Sequence, residues 1–135
     1  MKPVLIIALA LAAGPAAAQP AAVSKPISAQ QKTLSGQPIT LPQGPVEVTF
    51  SETIVPVGGA IAPHKHPYPR YAYVVSGRLK VTNLVTGTAA EVKAGDLAID
   101  AIDQWHEAAV VGDEPVRMLV IDQAPPGFVN TVRRD

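Results

Sequence analysis

The chain has 135 residues, which is enough for one small domain and leaves no room for a second. Its 11 basic residues balance 11 acidic ones, and no basic cluster precedes Arg133 and Arg134, so we expect neither nucleic acid nor an anionic membrane as a partner. Because the sequence has no cysteine, disulfides, thiolate-bound metals and thiol catalysis are excluded. Any metal must be bound by histidine and carboxylate side chains.

Residues 1–18 have the composition of a Sec-type signal peptide. Lys2 is followed by ten apolar residues from Val4 to Ala13, a Gly-Pro break, and three alanines that end at Ala18. A membrane anchor is the alternative, but spanning a bilayer requires roughly 20 apolar residues. We therefore predict cleavage after Ala18, a periplasmic or secreted protein, and no membrane attachment after cleavage.

Residues 19–45 are rich in alanine, glutamine, serine and proline and have no apolar periodicity. This composition predicts a flexible N-terminal lead-in. Ile39 and Leu41, which are two residues apart, would still allow its second half to pair along a sheet edge, where proline is tolerated.

From residue 46 the pattern changes to short alternating segments separated by glycine turns, as in Val46, Val48 and Phe50. The predicted strands are 46–55, 60–65, 70–76, 78–84, 89–93, 97–100, 106–111 and 116–122. This pattern indicates an all-β sandwich, barrel or jelly roll. The domain is predicted over residues 46–124, and residues 125–135 are predicted to be a C-terminal tail.

The three histidines occur in two places, and they are candidate metal ligands. His64 and His66 are two apart on a predicted strand, so their side chains project from one face and can chelate one ion. A third imidazole from His106 would complete a three-ligand site with open positions. The alternative is that all three are ordinary surface polar residues.

The spacing around His64 and His66 resembles the first sequence motif of the cupin family. Gly58, His64, His66 and Gly77 stand at the motif intervals, and Arg70 occupies the position of the motif glutamate. The second motif is matched less well. Gly95 and His106 are correctly spaced, while the places of its Pro, Gly and Asn are taken by Ala101, Asp103 and Val110.

The resemblance covers about residues 46–122 and implies a double-stranded β-helix, the cupin jelly-roll barrel, with a divalent metal inside one mouth. His64, His66 and His106 carry over as its ligands. The resemblance leaves the ion open among Fe, Mn, Zn, Ni and Cu. Cupins also commonly form homodimers, which makes a homodimer a further expectation.

Arg70 cannot coordinate a metal because a guanidinium has no free lone pair and remains charged. Two arrangements are open. Arg70 can turn away into a salt bridge, with Asp100 or Glu52 as the expected partner. Alternatively, it binds a substrate anion that lies between it and the metal, which would give it a catalytic role as an anchor. Family members with three-histidine iron sites, such as thiol dioxygenases, are a precedent for the second arrangement.

Aromatic side chains cluster near the predicted ligands. Tyr68, Tyr71 and Trp105 are the candidates for lining a substrate pocket. The small residues Ala72, Ala108 and Val110, which share the parity of Arg70 and His106, would leave space for a small molecule.

The resulting functional hypothesis is an exported, metal-dependent oxygenase that acts on a small anionic or enolisable substrate. The alternative is a non-catalytic cupin that binds a small ligand or a metal without turnover, since no general base is evident at the motif positions. A metal-free scaffold is a third possibility, and metal analysis would distinguish it from the other two.

Overall fold

The computed structural model describes residues 19–134, so the predicted signal peptide lies outside the described residues. This part of the chain contains nine β-strands and no α-helix. The strands are β1 (Glu47–Val55), β2 (Ala60–Lys65), β3 (Arg70–Ser76), β4 (Arg78–Asn83), β5 (Ala89–Lys93), β6 (Leu97–Ile99), β7 (His106–Val110), β8 (Val116–Ala124) and β9 (Val132–Arg133). Within residues 19–134, the structure has no helix with the length and apolar character of a membrane span.

The strands form two antiparallel sheets. The first has the order β1-β8-β3-β6, and the second has the order β5-β4-β7-β2-β9. The prediction of an all-β fold is confirmed. All eight predicted strands are present, with ends that differ by at most two residues. The ninth strand has no counterpart among the predicted ones.

The core lies between the two sheets. Strand β8 alternates between a buried inner face, with Val116, Met118 and Val120, and a more exposed outer face. Leu79 on β4 packs against the same cluster from the second sheet and is 2% exposed. The outer face of β8 also carries Leu119 and Ile121, and Ile121 is 38% exposed, so the nearly continuous apolar run of this strand does not reflect burial on both faces.

The predicted lead-in consists of two different parts. Residues 19–29 are exposed throughout, whereas residues 30–39 contact the edge of β6. The amide of Leu34 donates a hydrogen bond to the carbonyl of Ile99, and the Gln37 side chain makes two hydrogen bonds with the backbone of Ile102. These contacts cover an otherwise open sheet edge.

The predicted C-terminal tail is also attached to the barrel. Strand β9 pairs with β2, so that Arg133 lies opposite His64 and Val132 lies opposite Lys65. Asn130, just before β9, is 5% exposed. The segment therefore crosses the end of the barrel at which the histidines lie.

Candidate metal centre

The structure brings the three histidines together. His64 on β2 lies directly opposite His106 on β7 in the antiparallel ladder, and His66 follows β2 and forms an isolated bridge with Ile102. The three rings are 7%, 1% and 3% exposed for His64, His66 and His106, respectively. One ring nitrogen from each lies within 4.8 Å of the others. Three buried imidazoles at this separation can share one ion.

Backbone carbonyls fix the orientation of all three rings. The Nδ1 atoms of His64, His66 and His106 lie 2.7, 2.6 and 2.9 Å from the carbonyl oxygens of Ala62, Asn130 and Gln104. A carbonyl only accepts, so each Nδ1 carries the hydrogen and each Nε2 keeps its lone pair. This is the arrangement that metal-binding histidines require.

The Nε2 atoms of His66 and His106 are buried and have no hydrogen-bond partner among the described residues. Unpartnered buried polar atoms are rare and require an explanation. A divalent metal between the three rings would provide one, because imidazole nitrogens are good ligands for transition metals. The donor set therefore fits a metal ion.

Burial keeps the His64 and His66 rings neutral. Desolvation, opposed by the hydrogen bond to Ala62, lowers the pKa of His64 to about 4. Desolvation and the nearby Arg70 charge lower the pKa of His66 to about 2. Both imidazoles are therefore unprotonated at neutral pH, which is the form that binds metals.

A cavity of about 660 Å³ lies between the sheets beside this cluster. Its polar lining includes His64, His106, Arg70 and Asp100, and its apolar walls come from both sheets. Ala72 and Ala108 also line it, as the sequence predicts, whereas Val110 is not among its lining residues. The volume falls within the range of about 300–1,000 Å³ that is usual for small-molecule sites.

Arg70 lies on the cavity wall and forms a bidentate salt bridge. Its Nε and Nη2 donate to Oδ1 and Oδ2 of Asp122 at 2.8 and 2.7 Å, and Nη2 also donates to Thr131 Oγ1 at 3.0 Å. The expected partners, Asp100 and Glu52, are incorrect, because β8 rather than β6 or β1 presents the carboxylate that fits the guanidinium. The negative charge of Asp122 also reduces the repulsion between Arg70 and a metal cation bound by the histidines.

Asp100 is a site residue whose role the sequence did not indicate. It lies just after β6, and its amide donates to the carbonyl of Arg70. Its Oδ2 is 3.5 Å from Nε2 of His66, and its side chain is 14% exposed. Burial raises the pKa of this carboxyl group. The only signal for Asp100 in the sequence is an acidic residue at the end of an apolar strand. Its proximity to the histidines depends on the register between β3 and β6, which the sequence does not specify.

The three aromatic residues predicted to line the pocket have other neighbours. Tyr68 contacts the Phe128 ring edge-on at 5.1 Å, and the Tyr71 hydroxyl donates to Gln123 at 3.2 Å. Tyr71 adjoins Arg70 on β3, so alternation places its side chain on the opposite face of the sheet. The centroid of the Trp105 ring lies 5.4 Å from Lys65 Nζ and 5.7 Å from Arg134 Cζ.

Comparison with solved structures supports the jelly-roll assignment. A Klebsiella pneumoniae protein described as uncharacterized, with a double-stranded β-helix domain, aligns at 29% identity with a TM-score of 0.52, over 64% of this chain and 69% of that one. The oxalate decarboxylase of Lactobacillus farciminis, in a formate complex, aligns at 24% identity and a TM-score of 0.55. That of Bacillus subtilis, described with Mn(II) centres, gives the same values.

The alignments to the two decarboxylases cover 64% of this chain but only 26% and 23% of those chains. They therefore show a shared fold. No curated protein gives a significant match. The family model described as "Cupin domain" matches residues 51–122, which is more than half of the chain. Together with the two-sheet barrel and the predicted double-stranded β-helix, this match shows that the chain belongs to the cupin family.

Proposed function

We propose that this cupin binds a divalent transition metal, one of Fe, Mn, Zn, Ni or Cu, through His64, His66 and His106. The observation that carries the proposal is the pair of buried, unpartnered Nε2 atoms directed toward a third imidazole.

We further propose that the protein is an oxygenase that acts on a small anionic or enolisable substrate. A metal bound by three neutral imidazoles would supply a Lewis acid with open coordination positions. The chain itself supplies the 660 Å³ cavity, whose walls are mainly apolar. Thr131 and Arg70 supply hydrogen-bond donors on its wall.

The metal proposal is tested by elemental analysis of the mature protein after reconstitution with each ion. The wild type should contain about one ion per chain, as a single three-histidine site requires. The His64→Ala variant should lose most of it. Lys65→Ala is the matched control, because Lys65 stands between the two histidines in the sequence and its side chain forms a salt bridge with Asp103. A wild-type protein that retains no stoichiometric metal would refute the proposal.

Catalysis is tested by oxygen consumption with a panel of small carboxylates, including oxalate, and β-diketones. Turnover that depends on added metal and is lost in His64→Ala would support an oxygenase. If Arg70 anchors the substrate, Arg70→Lys should raise KM more than it lowers kcat, because lysine cannot reproduce the bidentate fork.

A non-catalytic cupin that binds a small ligand or a metal is the second candidate. The observation that favours it is the Arg70–Asp122 salt bridge, which already engages two guanidinium nitrogens. If no substrate in the panel raises oxygen consumption above that of the metal in buffer, this candidate replaces the first.

We also propose that the protein is exported and that it forms a homodimer. The sequence pattern of residues 1–18 supports export, and N-terminal sequencing of protein from the native cell should begin at Gln19. The exposed apolar side chains of β1, among them Val48 and Phe50, support the dimer.

A further inference from the structure

We infer that Asp100 is a fourth, carboxylate ligand of the metal, supplied from the end of β6. This inference rests on the proposed metal binding and adds to the three histidines a residue that stands outside the motif positions. It follows from the strand register, from the hydrogen-bonding state of His66 and from the charges that face the site.

The register places Asp100 beside Arg70 on the inner face of the first sheet. Tyr71 pairs with Ile99 across β3 and β6, and the Asp100 amide donates to the Arg70 carbonyl at 3.1 Å. On the other side of β3, Arg70 pairs with Asp122 of β8. Cross-strand neighbours share a face, so the order across the sheet is Asp122, Arg70, Asp100.

Of the three charged side chains that lie side by side in this order, Asp100 is the one whose charge is left to face the metal centre. Arg70 and Asp122 neutralise each other through two hydrogen bonds. Among the salt bridges of residues 19–134, none joins Asp100 to a lysine or an arginine. A largely buried carboxylate without a cation is unfavourable, and a divalent ion among neutral imidazoles would compensate for it.

When Asp100 is ionised, its facing atom and that of His66 are both acceptors. His66 uses Nδ1–H to donate to the Asn130 carbonyl, so its Nε2 presents a lone pair to Oδ2 of Asp100 at 3.5 Å. The side chains whose ligand atoms all lie within 4.8 Å of one another are the three histidines, so Asp100 approaches the ion from the side of His66. The Asp100 carboxylate and the His66 lone pair repel each other at 3.5 Å, and a shared metal ion would replace this repulsion with two favourable contacts.

The test measures Mn²⁺ and Zn²⁺ affinity by calorimetry for the wild type and for Asp100→Asn, which preserves shape and removes the charge. Because Mn²⁺ prefers carboxylate oxygen and Zn²⁺ accepts an all-imidazole set, the Mn²⁺ dissociation constant should rise by at least about tenfold and that of Zn²⁺ by less. The visible spectrum of the Co²⁺-loaded protein should change as one ligand is replaced. If a proton rather than a metal lies between Asp100 and His66, neither quantity will change.

Asp103→Asn is the matched control, because its carboxylate lies three residues further along, is exposed and pairs with Lys65. Asparagine also tolerates the positive φ of 53° at residue 103.

If Asp100→Asn fails to fold, as judged by melting of the apo protein, Asp100→Glu and Asp100→Gln replace it. Of these two variants, only Asp100→Glu should retain Mn²⁺. Equal Mn²⁺ affinity in Asp100→Asn and the wild type, or equal losses for both metals, would overturn the inference. Failure of the wild type to bind either metal would instead refute the proposed function.

Discussion

Asn130 is the residue through which the C-terminal segment supports the metal centre. Its carbonyl accepts the hydrogen bond from His66, and its side-chain amide donates to Asp122 Oδ1 at 2.7 Å and to the Tyr68 carbonyl at 3.0 Å. Its Oδ1 accepts from the Tyr68 amide at 2.9 Å. One buried side chain therefore joins the segment that carries His66 to the Arg70–Asp122 pair.

Replacing Asn130 with alanine should destabilise the protein and weaken metal binding. Removing buried hydrogen-bond partners costs about 1–3 kcal/mol, which urea unfolding of the apo protein would measure. Metal affinity should fall about tenfold or more, because the Asn130 side chain no longer anchors the backbone carbonyl that orients His66. Val129→Ala, at a position that is 78% exposed, is the control and should behave like the wild type. Equal unfolding midpoints for the two variants would contradict this role.

At the scale of elements, the turn between β3 and β4 depends on Gly77. This residue has a φ of +75°, and a Cβ atom added to it would lie 2.6 Å from the Pro115 carbonyl oxygen and 2.9 Å from the Cα of Val116. Both the backbone conformation and the available space therefore require glycine. The turn joins the two sheets, because β3 belongs to the first and β4 to the second.

Gly77→Ala should therefore be more harmful than the same change at a glycine with open space. Gly87 has a similar φ of +72°, and a Cβ atom added to it would meet no heavy atom within 4 Å, so Gly87→Ala should cost only about 1–2 kcal/mol for the left-handed conformation. Gly77→Ala should cost that amount plus about 1–3 kcal/mol of overpacking. Thermal unfolding of both variants measures the difference, and equal melting temperatures would show that the steric contact is unimportant.

The strands could be predicted because alternation and glycine turns are local signals. The convergence of the histidines could be anticipated from the cupin-like spacing. The remaining features depend on contacts between distant residues. Asp100, Asp122 and Asn130 approach the site only through strand register, which no local pattern specifies. Strand β9 has two residues, too few for alternation to be visible, and residues 30–39 dock without any apolar periodicity.

At the scale of the whole molecule, the outer face of the first sheet presents apolar side chains to solvent. Val48, Phe50 and Ile54 on β1 are 58%, 66% and 63% exposed, and Ile121 lies opposite Phe50 on β8. Within the described part of the chain, β1 pairs only with β8, so its other edge is open. An open nine-residue edge beside an apolar face is typical of a surface that associates.

We therefore expect the protein to sediment as a homodimer formed through this face. Phe50→Lys should shift the population to monomer, because a charge would be buried in a self-complementary interface. Val85→Lys is the control, since Val85 is 60% exposed but lies in the turn after β4, away from this sheet. Analytical ultracentrifugation gives the masses, and a monomeric wild type at high concentration would exclude the dimer.

The contact between residue 130 and His66 has a consequence for biogenesis. The carbonyl that orients His66 is synthesised 64 positions after the ring that it holds. A nascent chain that has emerged only as far as residue 126 would contain all three imidazoles but lack this acceptor. Full metal affinity would therefore appear only once residue 130 has been synthesised and has packed against His66.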